Sequence, residues 1–462
     1  MPGTRTLSVL LPAWNEGEGL VRLAESLLQF PEVSELVVVD DASTDDTIER
    51  WRASAVARDP RVIFRQNEKR LGLACSILQA LRLAKGDWVL VRDSDFNHDV
   101  RDLPKLLALA QEGHDLVVAS RYKNGVPKIG RFNDVLSFCL SKFLSLRGRP
   151  GRRISDWTYG YFLIRRDLLL AAPAGWVFRG RGEYSVRLYR WLLAQKKAVR
   201  WTELPTVVRA RGGGVSTTRP LRHGLAYLGT FLESPPGREG ELGEGLRAAL
   251  RKWGRQGRSG VEACGHSALG LRSRLALLER ESAFLKAPLL DLACGNGAFT
   301  RLLPSVKNGE RDGIDLDEAF LSEAKPFYRH LRIGDLRQGL PSGLPGPYRT
   351  LLCLEVLQYL SWQEVVNLLG EARACAVPGA SLFCLFPHRG SVWHRARYLL
   401  GLGPEDYLAS HDASLVAAAA MEAGWRVAAA WSCGYGSTEV RELRALPEAG
   451  YAQAHMLLRF EA

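Results

Sequence analysis

Along residues 7–97, short apolar runs alternate with stretches in which leucines recur at helical spacing. Residues 7–11 form an apolar run stopped by Pro12, and Leu20, Leu23, Leu27 and Leu28 then share one helical face ahead of Pro31. Residues 36–39 are a continuous, largely β-branched run of the kind that suits a strand buried on both faces. Ser43 or Thr44 is placed to cap a helix starting near Thr47, with Asp45 and Asp46 favourable in its first turn. Residues 62–64 read as another strand, Gly72 opens a helix through Leu81, and residues 88–91 form a strand after the Gly86-Asp87 turn. Strand alternating with helix predicts βαβ units around a parallel sheet.

Three of these strands end on polar clusters: Trp14-Asn15-Glu16, Asp40-Asp41 and Asp93-Ser94-Asp95. In a parallel sheet the three clusters converge on one edge, where open α/β sheets bind their ligands. Asp93 and Asp95, one residue apart, can approach a single divalent cation; the same spacing also suits a solvated strand-end turn. An acid-rich edge repels a nucleotide diphosphate unless a cation bridges them, and this pair can supply its ligands.

The second half repeats the alternation. Residues 234–246 are rich in Pro, Gly and charge, as domain linkers are, and a basic stretch follows over 247–258. We therefore expect a first domain at 1–235, a linker at 236–262 and a second domain at 263–462. A leucine-periodic helix over 269–285 precedes an apolar strand that runs into a tight turn with Gly295 and Gly297. Glycines there let backbone approach a ligand closely and adopt positive φ. The next strand ends at Asp315, eighteen residues beyond Gly297, where an acid can accept ribose hydroxyls. A further turn acid comes at Asp335-Leu336, residues 351–360 read as a strand turning into a helix, and 381–386 as a last clear strand.

Composition narrows the partners. A chain of 462 residues is too long for one ordinary core, and 46% apolar with 24% charged residues is a globular balance. The net charge of +12 favours an anionic partner: nucleic acid, a membrane surface or a phosphorylated substrate. No nucleic-acid-binding signature accompanies the charge, so no nucleic acid is expected. Eight scattered cysteines without a Cys-x-x-Cys pair point to reduced thiols and a cytoplasmic protein. No signal peptide is expected from residues 1–6, which lack a long apolar region and a small-residue cleavage site, and no run reaches about 18 apolar residues. Over 131–147, apolar residues at 132, 135, 136, 139, 140, 143 and 146 make one wide face bordered by Lys142, Arg147 and Arg149. That face suits either a core helix or one lying peripherally on the cytoplasmic membrane face.

Pro12-Ala-Trp14-Asn-Glu16, Val-Val-Asp40-Asp41-Ala-Ser43, Gly86-Asp87 and Asp93-Ser94-Asp95-Phe-Asn97 together resemble the family 2 glycosyltransferases. Within these they are most similar to the dolichol-phosphate (polyprenyl-phosphate) mannosyl- and glucosyltransferases. The likeness continues through Ser120-Arg121-Tyr122 and Asp156-Trp-Thr158-Tyr-Gly160-Tyr161, with an echo at Glu203-Leu-Pro205 and Arg209-Ala-Arg211. It implies a GT-A fold, Rossmann-like, moving a sugar from a nucleotide donor with inversion. Residue by residue, it implies that Pro12, Trp14, Glu16, Asp40 and Asp41 face the nucleoside. Asp93, Asp95 and Asn97 would hold Mg²⁺ or Mn²⁺ and, with Ser94, the diphosphate. Arg121, Arg131, Arg209 and Arg211 become candidates for donor or acceptor phosphates, for which guanidinium forks suit. A polyprenyl phosphate acceptor is already ionised and needs no base; a glycan hydroxyl needs one, and Glu183 stands where the family carries an acid. The chain departs from the pattern at Thr217, where the family has lysine, and at Tyr161, where it has Phe.

From about residue 265 the order resembles the class I S-adenosylmethionine-dependent methyltransferases. Asp291-x-Ala-Cys-Gly295-x-Gly297 is similar to their glycine loop, with Ala293 replacing a usual glycine. Asp315 stands at the ribose acid, Asp335-Leu336 at the adenine pair, and Glu355 in a Glu-Val-Leu-Gln-Tyr359 segment where Glu-His usually closes. The resemblance implies a Rossmann-like second domain with S-adenosylmethionine as cofactor. Together the halves imply a bifunctional enzyme. The other reading is a glycosyltransferase acting on a saccharide hydroxyl and carrying a non-catalytic methyltransferase-like module for binding or assembly.

Overall fold

A computed structural model describes residues 6–123, 137–142, 145, 154–180, 182–195, 199–207, 227 and 230, then 268–297, 300, 310–388, 411–434, 437–446 and 453–462. The chain divides into two compact units, Met1–Glu239 and Gly240–Ala462. The expected linker and Arg131, Arg209 and Arg211 lie outside the described residues.

The first unit is built on seven strands: β1 (Leu7–Ala13), β2 (Val33–Asp40), β3 (Val62–Gln66), β4 (Trp88–Val91), β5 (Leu116–Ser120), β6 (Phe162–Arg165) and β7 (Trp201–Pro205). Their order is β3-β2-β1-β4-β6-β5-β7. β6 runs antiparallel to both its neighbours, and the other pairs are parallel. Six strands therefore end at one edge and β6 begins there. Every residue of β1, β4 and β5 is buried, as expected of strands with helices on both faces. Helix Glu18–Leu28 buries Leu20, Leu23 and Leu27 against this sheet, on the face its periodicity marks.

Two expectations are overturned. β1 does not stop at Pro12 but continues to Ala13. Ala13 O accepts from Asp41 N at 2.8 Å on the β2 side, so the neighbouring Pro12 turns its missing N–H toward β4, whose pairing with β1 ends at Leu10. Neither Ser43 nor Thr44 caps the helix Thr47–Ala53; Asp46 holds the N-cap position, and Asp45 Oδ1 accepts from Thr47 N at 3.1 Å instead. Ser43 and Thr44 are engaged across the sheet edge, as described below.

The second unit has eight strands: β8 (Leu289–Leu292), β9 (Arg311–Asp315), β10 (His330–Ile333), β11 (Tyr348–Leu354), β12 (Ala376–Pro387), β13 (Arg426–Gly434), β14 (Val440–Glu442) and β15 (Gln453–Glu461). The order is β10-β9-β8-β11-β12-β15-β13-β14. The first five are mutually parallel, and β15 runs antiparallel between β12 and β13. The order reverses between β8 and β11, which makes the crevice beyond their carboxyl ends the topological switch point of a doubly wound sheet. Helices Ala268–Arg280, Trp362–Ala374 and Ala413–Glu422 belong to this unit. Trp362–Ala374 opens with a capping box between Ser361 and Glu364.

Candidate functional site

At the edge of the first sheet, the loops after β1 and β2 are stitched to each other. Asn15, at φ +56°, donates its N–H to Ser43 Oγ at 2.9 Å and accepts from Thr44 N at 2.8 Å; Gly17 N donates to Thr47 Oγ1 at 2.7 Å. Asp40 accepts from Ser43 N at 3.0 Å and from Ser43 Oγ, and burial holds its carboxyl above the usual range despite those bonds. Pro12 is buried, while Trp14 and Glu16 are half-buried; the Arg70 guanidinium lies over the Trp14 ring, 3.3 Å from its centroid.

Asp41 faces inward. Its carboxylate accepts from Leu71 N and Gly72 N, each at 2.7 Å, and from Asn67 Nδ2 at 3.3 Å, with Arg70 Nε 3.9 Å away. It is the anchor of the turn that opens helix Leu73–Leu83, and burial raises its pKa.

The acids after β4 divide differently. The Asp93 side chain is 41% exposed. Asp95 is buried and accepts from Asn97 N at 3.0 Å and Asn97 Nδ2 at 2.7 Å, while Ser94 between them is buried. Among the described residues no group of three or more His, Cys, Asp and Glu side chains is arranged to hold a metal ion. Two carboxylates and an amide fit a hard cation that takes its remaining ligands from a diphosphate and water, the usual habit of Mg²⁺.

Sequence reasoning missed the layer behind these acids. His98 is buried; its Nδ1 accepts from Asp93 N at 3.1 Å, its ring stacks on Tyr161 with centroids 4.6 Å apart, and Tyr159 meets it edge-on at 4.5 Å. Burial, then the charges of Arg92 and Arg121, hold its pKa well below the ordinary value, so the imidazole is neutral. An accepting Nδ1 places its proton on Nε2. The only signal available was the spacing of His98 three residues past Asp95.

Arg121, at the end of β5, forms a fork with the fully buried Asp156: Nε to Oδ2 at 2.7 Å and Nη2 to Oδ1 at 2.9 Å. Nη2 also reaches Ser137 Oγ and Thr158 Oγ1, each at 3.0 Å. Burial pulls the guanidinium pKa down, but Asp156 outweighs it and keeps it above the ordinary value. Glu183, buried, precedes helix Tyr184–Ala194. Tyr227 OH donates to the carbonyl of Gly182, next to Glu183, at 3.2 Å, and burial raises its pKa.

In the second unit the loop after β8 carries three consecutive left-handed turns at alternate residues: Ala293 at φ +64°, Gly295 at +53° and Gly297 at +76°. Gly295 donates its N–H to Asp315 Oδ2 at 2.7 Å, and a Cβ built on it would meet nothing within 4 Å. Among the described residues nothing fills the space over this glycine, which lies at the switch point. Asp315 Oδ1 accepts from Asp317 N at 3.0 Å, leaving lone pairs on both oxygens. Asp335, past β10, is paired with Arg337 at 2.8 Å, and Leu336 is buried. Asp291 and Glu355 point into the interior. Asp291 Oδ2 accepts from Tyr328 OH at 2.6 Å and Thr300 Oγ1 at 3.0 Å, and burial pushes its pKa up to about 6. Glu355, at φ +57°, lies 3.2 Å from Arg274 Nε.

Comparison with known proteins bears on the first unit. Residues 8–170 match the model of Glycosyl transferase family 2. The dolichol-phosphate mannosyltransferase of Pyrococcus furiosus is 33% identical over 171 residues, 35% of this chain and 47% of that protein. The undecaprenyl-phosphate 4-deoxy-4-formamido-L-arabinose transferase of Proteus mirabilis is 34% identical over 122 residues, 26% of this chain and 37% of that one. The dolichol-phosphate mannosyltransferase of Saccharomyces cerevisiae is 30% identical over 168 residues, covering 35% and 61%. The chain thus spans between 37% and 61% of the length of these relatives. Among solved structures, glucosyl-3-phosphoglycerate synthase from Mycobacterium tuberculosis with Mn²⁺, UDP and glucosyl-3-phosphoglycerate aligns at 23% identity and a TM-score of 0.38, over 49% of this chain and 79% of that one. The same enzyme with Mg²⁺ and UDP aligns at 26% and 0.38, over 49% and 78%.

Proposed function

We propose, from the premise that residues 8–170 form a family 2 glycosyltransferase domain, that the first unit transfers a sugar from a nucleotide-sugar donor to a polyprenyl phosphate, with Asp93, Asp95 and Asn97 holding Mg²⁺ or Mn²⁺. The observation that carries the reading is the meeting at one sheet edge of the loops after β1, β2 and β4, with Asp93 half open to solvent. A bound divalent cation there supplies a Lewis acid for charge on the departing diphosphate. The chain's own groups do the rest. Trp14, held flat beneath Arg70, offers an aromatic surface beside Asp40 for the nucleoside. Asn97 aligns Asp95 through two hydrogen bonds. Support for the acceptor is the likeness to dolichol- and undecaprenyl-phosphate transferases. A lipid phosphate already ionised at neutral pH attacks the anomeric carbon without a base. A glycan hydroxyl would need a base, and in that second reading the buried Glu183 takes the role. No described helix is long and apolar enough to cross a membrane. Incubation with labelled GDP-mannose or UDP-glucose and polyprenyl phosphate, with and without a chelator, tests this. Transfer that survives chelation, or proceeds equally in Asp95→Ala, sinks the metal reading.

For the second unit we infer S-adenosylmethionine binding and methyl transfer. What supports it is the glycine loop with open space over Gly295, braced by Asp315 at a switch point. The alternative, a non-catalytic module, draws on Glu355, whose carboxylate is turned to Arg274. Calorimetry of the full chain with S-adenosylmethionine separates them: absence of binding removes the methyltransferase.

A further inference from the structure

β4 is apolar and buried throughout, yet the residue that follows, Arg92, places a guanidinium in the same core with 1% exposure. A buried cation is unfavourable unless its protons are placed. Among the described residues none of its hydrogen bonds goes to a carboxylate. Nη2 donates to the carbonyls of Asp95 at 3.1 Å and His98 at 2.9 Å, Nε donates to that of Asp93 at 3.3 Å, and Nη1 has no partner. Two tyrosines extend the pattern: Tyr159 OH donates to Asn97 O at 3.0 Å and Tyr161 OH to Asp99 O at 3.2 Å. The carbonyls of residues 93, 95, 97, 98 and 99 are thus each fastened by a side chain from the interior, three of them by Arg92.

We propose that Arg92 is a positioning residue, an internal cation that builds the 93–99 turn in the metal-free protein and so presents Asp93 and Asp95 ready for a divalent cation. The proposal rests on the reading of those two acids as cation ligands. Its physical basis is twofold. Two carboxylates one residue apart repel when no metal is present, and the bonds from Arg92 to the backbone between and beyond them hold the pair in place against that repulsion, which a bound cation then relieves. The three carbonyl bonds also remove backbone freedom that would otherwise be lost on binding, which is the gain of preorganisation. An apolar residue at 92 would complete the strand's pattern but take a donor away from each of three carbonyls.

The experiment uses the full chain. Mn²⁺ affinity is measured by electron paramagnetic resonance with and without GDP or UDP, and backbone amide exchange of the 93–99 turn is followed in metal-free protein, for wild type, Arg92→Met, Arg92→Lys, Tyr159→Phe and Asp95→Ala. Arg92→Met is expected to weaken Mn²⁺ binding about tenfold or more, as outer-shell losses do. Its turn amides should exchange faster, and the KM for Mn²⁺ should rise more than kcat falls. Arg92→Lys should lie between, and Tyr159→Phe, which keeps the ring and loses one carbonyl bond, should shift both readouts the same way by a few-fold. Should Arg92→Met fail to fold, the lysine and phenylalanine variants decide. Wild-type Mn²⁺ affinity and exchange in the folded variants, alongside loss of binding in Asp95→Ala, overturns the role of Arg92 and leaves the metal reading intact. A wild type that binds no Mn²⁺, with or without GDP or UDP, removes the metal reading and this proposal with it.

Discussion

Replacing Asp291 by asparagine should stabilise the second unit at pH 8 and not at pH 4. The carboxyl is 3% exposed, and burial pushes its pKa up to about 6 from an ordinary 3.8. A raised folded-state value means the protonated acid is the form the fold prefers. Its contribution is whole below pH 3.8, declines as pH rises toward about 6, and is gone beyond. A gap of about 2 pH units corresponds to about 3 kcal/mol. Asparagine is neutral throughout. With its amide oxygen in the place of Oδ2 it still accepts from Tyr328 OH and Thr300 Oγ1, and the strength of those bonds to the charged carboxylate is already contained in the raised folded-state value. The net expectation is a gain of about 3 kcal/mol at pH 8, falling close to zero at pH 4. Urea unfolding of both proteins at a series of pH values, followed by tryptophan fluorescence, measures the difference. A difference that does not change between pH 4 and 8, or a mutant less stable at pH 8, refutes the linkage. The same variant separates an interior role from a ligand-contacting one. Because this carboxylate meets Tyr328 and Thr300, calorimetric affinity for S-adenosylmethionine should change by less than a few-fold.

Gly295→Ala should cost only about 1 kcal/mol of stability, the strain of a left-handed alanine, since its methyl group meets nothing; binding of S-adenosylmethionine should nonetheless fall at least tenfold by calorimetry, because that methyl group fills the space a ligand would use. Asp41→Asn puts an NH₂ group against the N–H of Leu71 or Gly72, and a lower denaturant midpoint worth about 2 kcal/mol is expected. Arg121→Lys breaks the fork to Asp156 and strands a buried carboxylate, so a loss of about 3 kcal/mol is expected in the same assay. A denaturant midpoint equal to wild type would count against either structural role.

The strand-helix alternation was legible because a strand buried on both faces leaves an unbroken apolar run, and polar residues must then mark its end. β6, four residues long and antiparallel, and the half-exposed β7 leave no such trace. What the pattern cannot carry is the partner of a charge. Asp41 and Asp93 occupy equivalent strand ends, yet one carboxylate is consumed by two backbone N–H groups and Asn67, while the other stays 41% exposed. Glu355 and Arg274 meet only because β11 and the helix Ala268–Arg280 pack, a pairing no local spacing encodes. Arg92 is the converse case. A lone cation at the end of an apolar strand is visible in the sequence, but it reads as the first solvated residue of a turn. Its meaning depends on carbonyls that point inward, and that is set by the fold of residues 93–98 rather than by their chemistry. Residues that touch a ligand and residues that hold those residues in place therefore differ in kind. The former are chosen for side-chain chemistry and can be read from type and spacing. The latter are chosen for where backbone groups are left without partners, and only the folded chain reveals where that is.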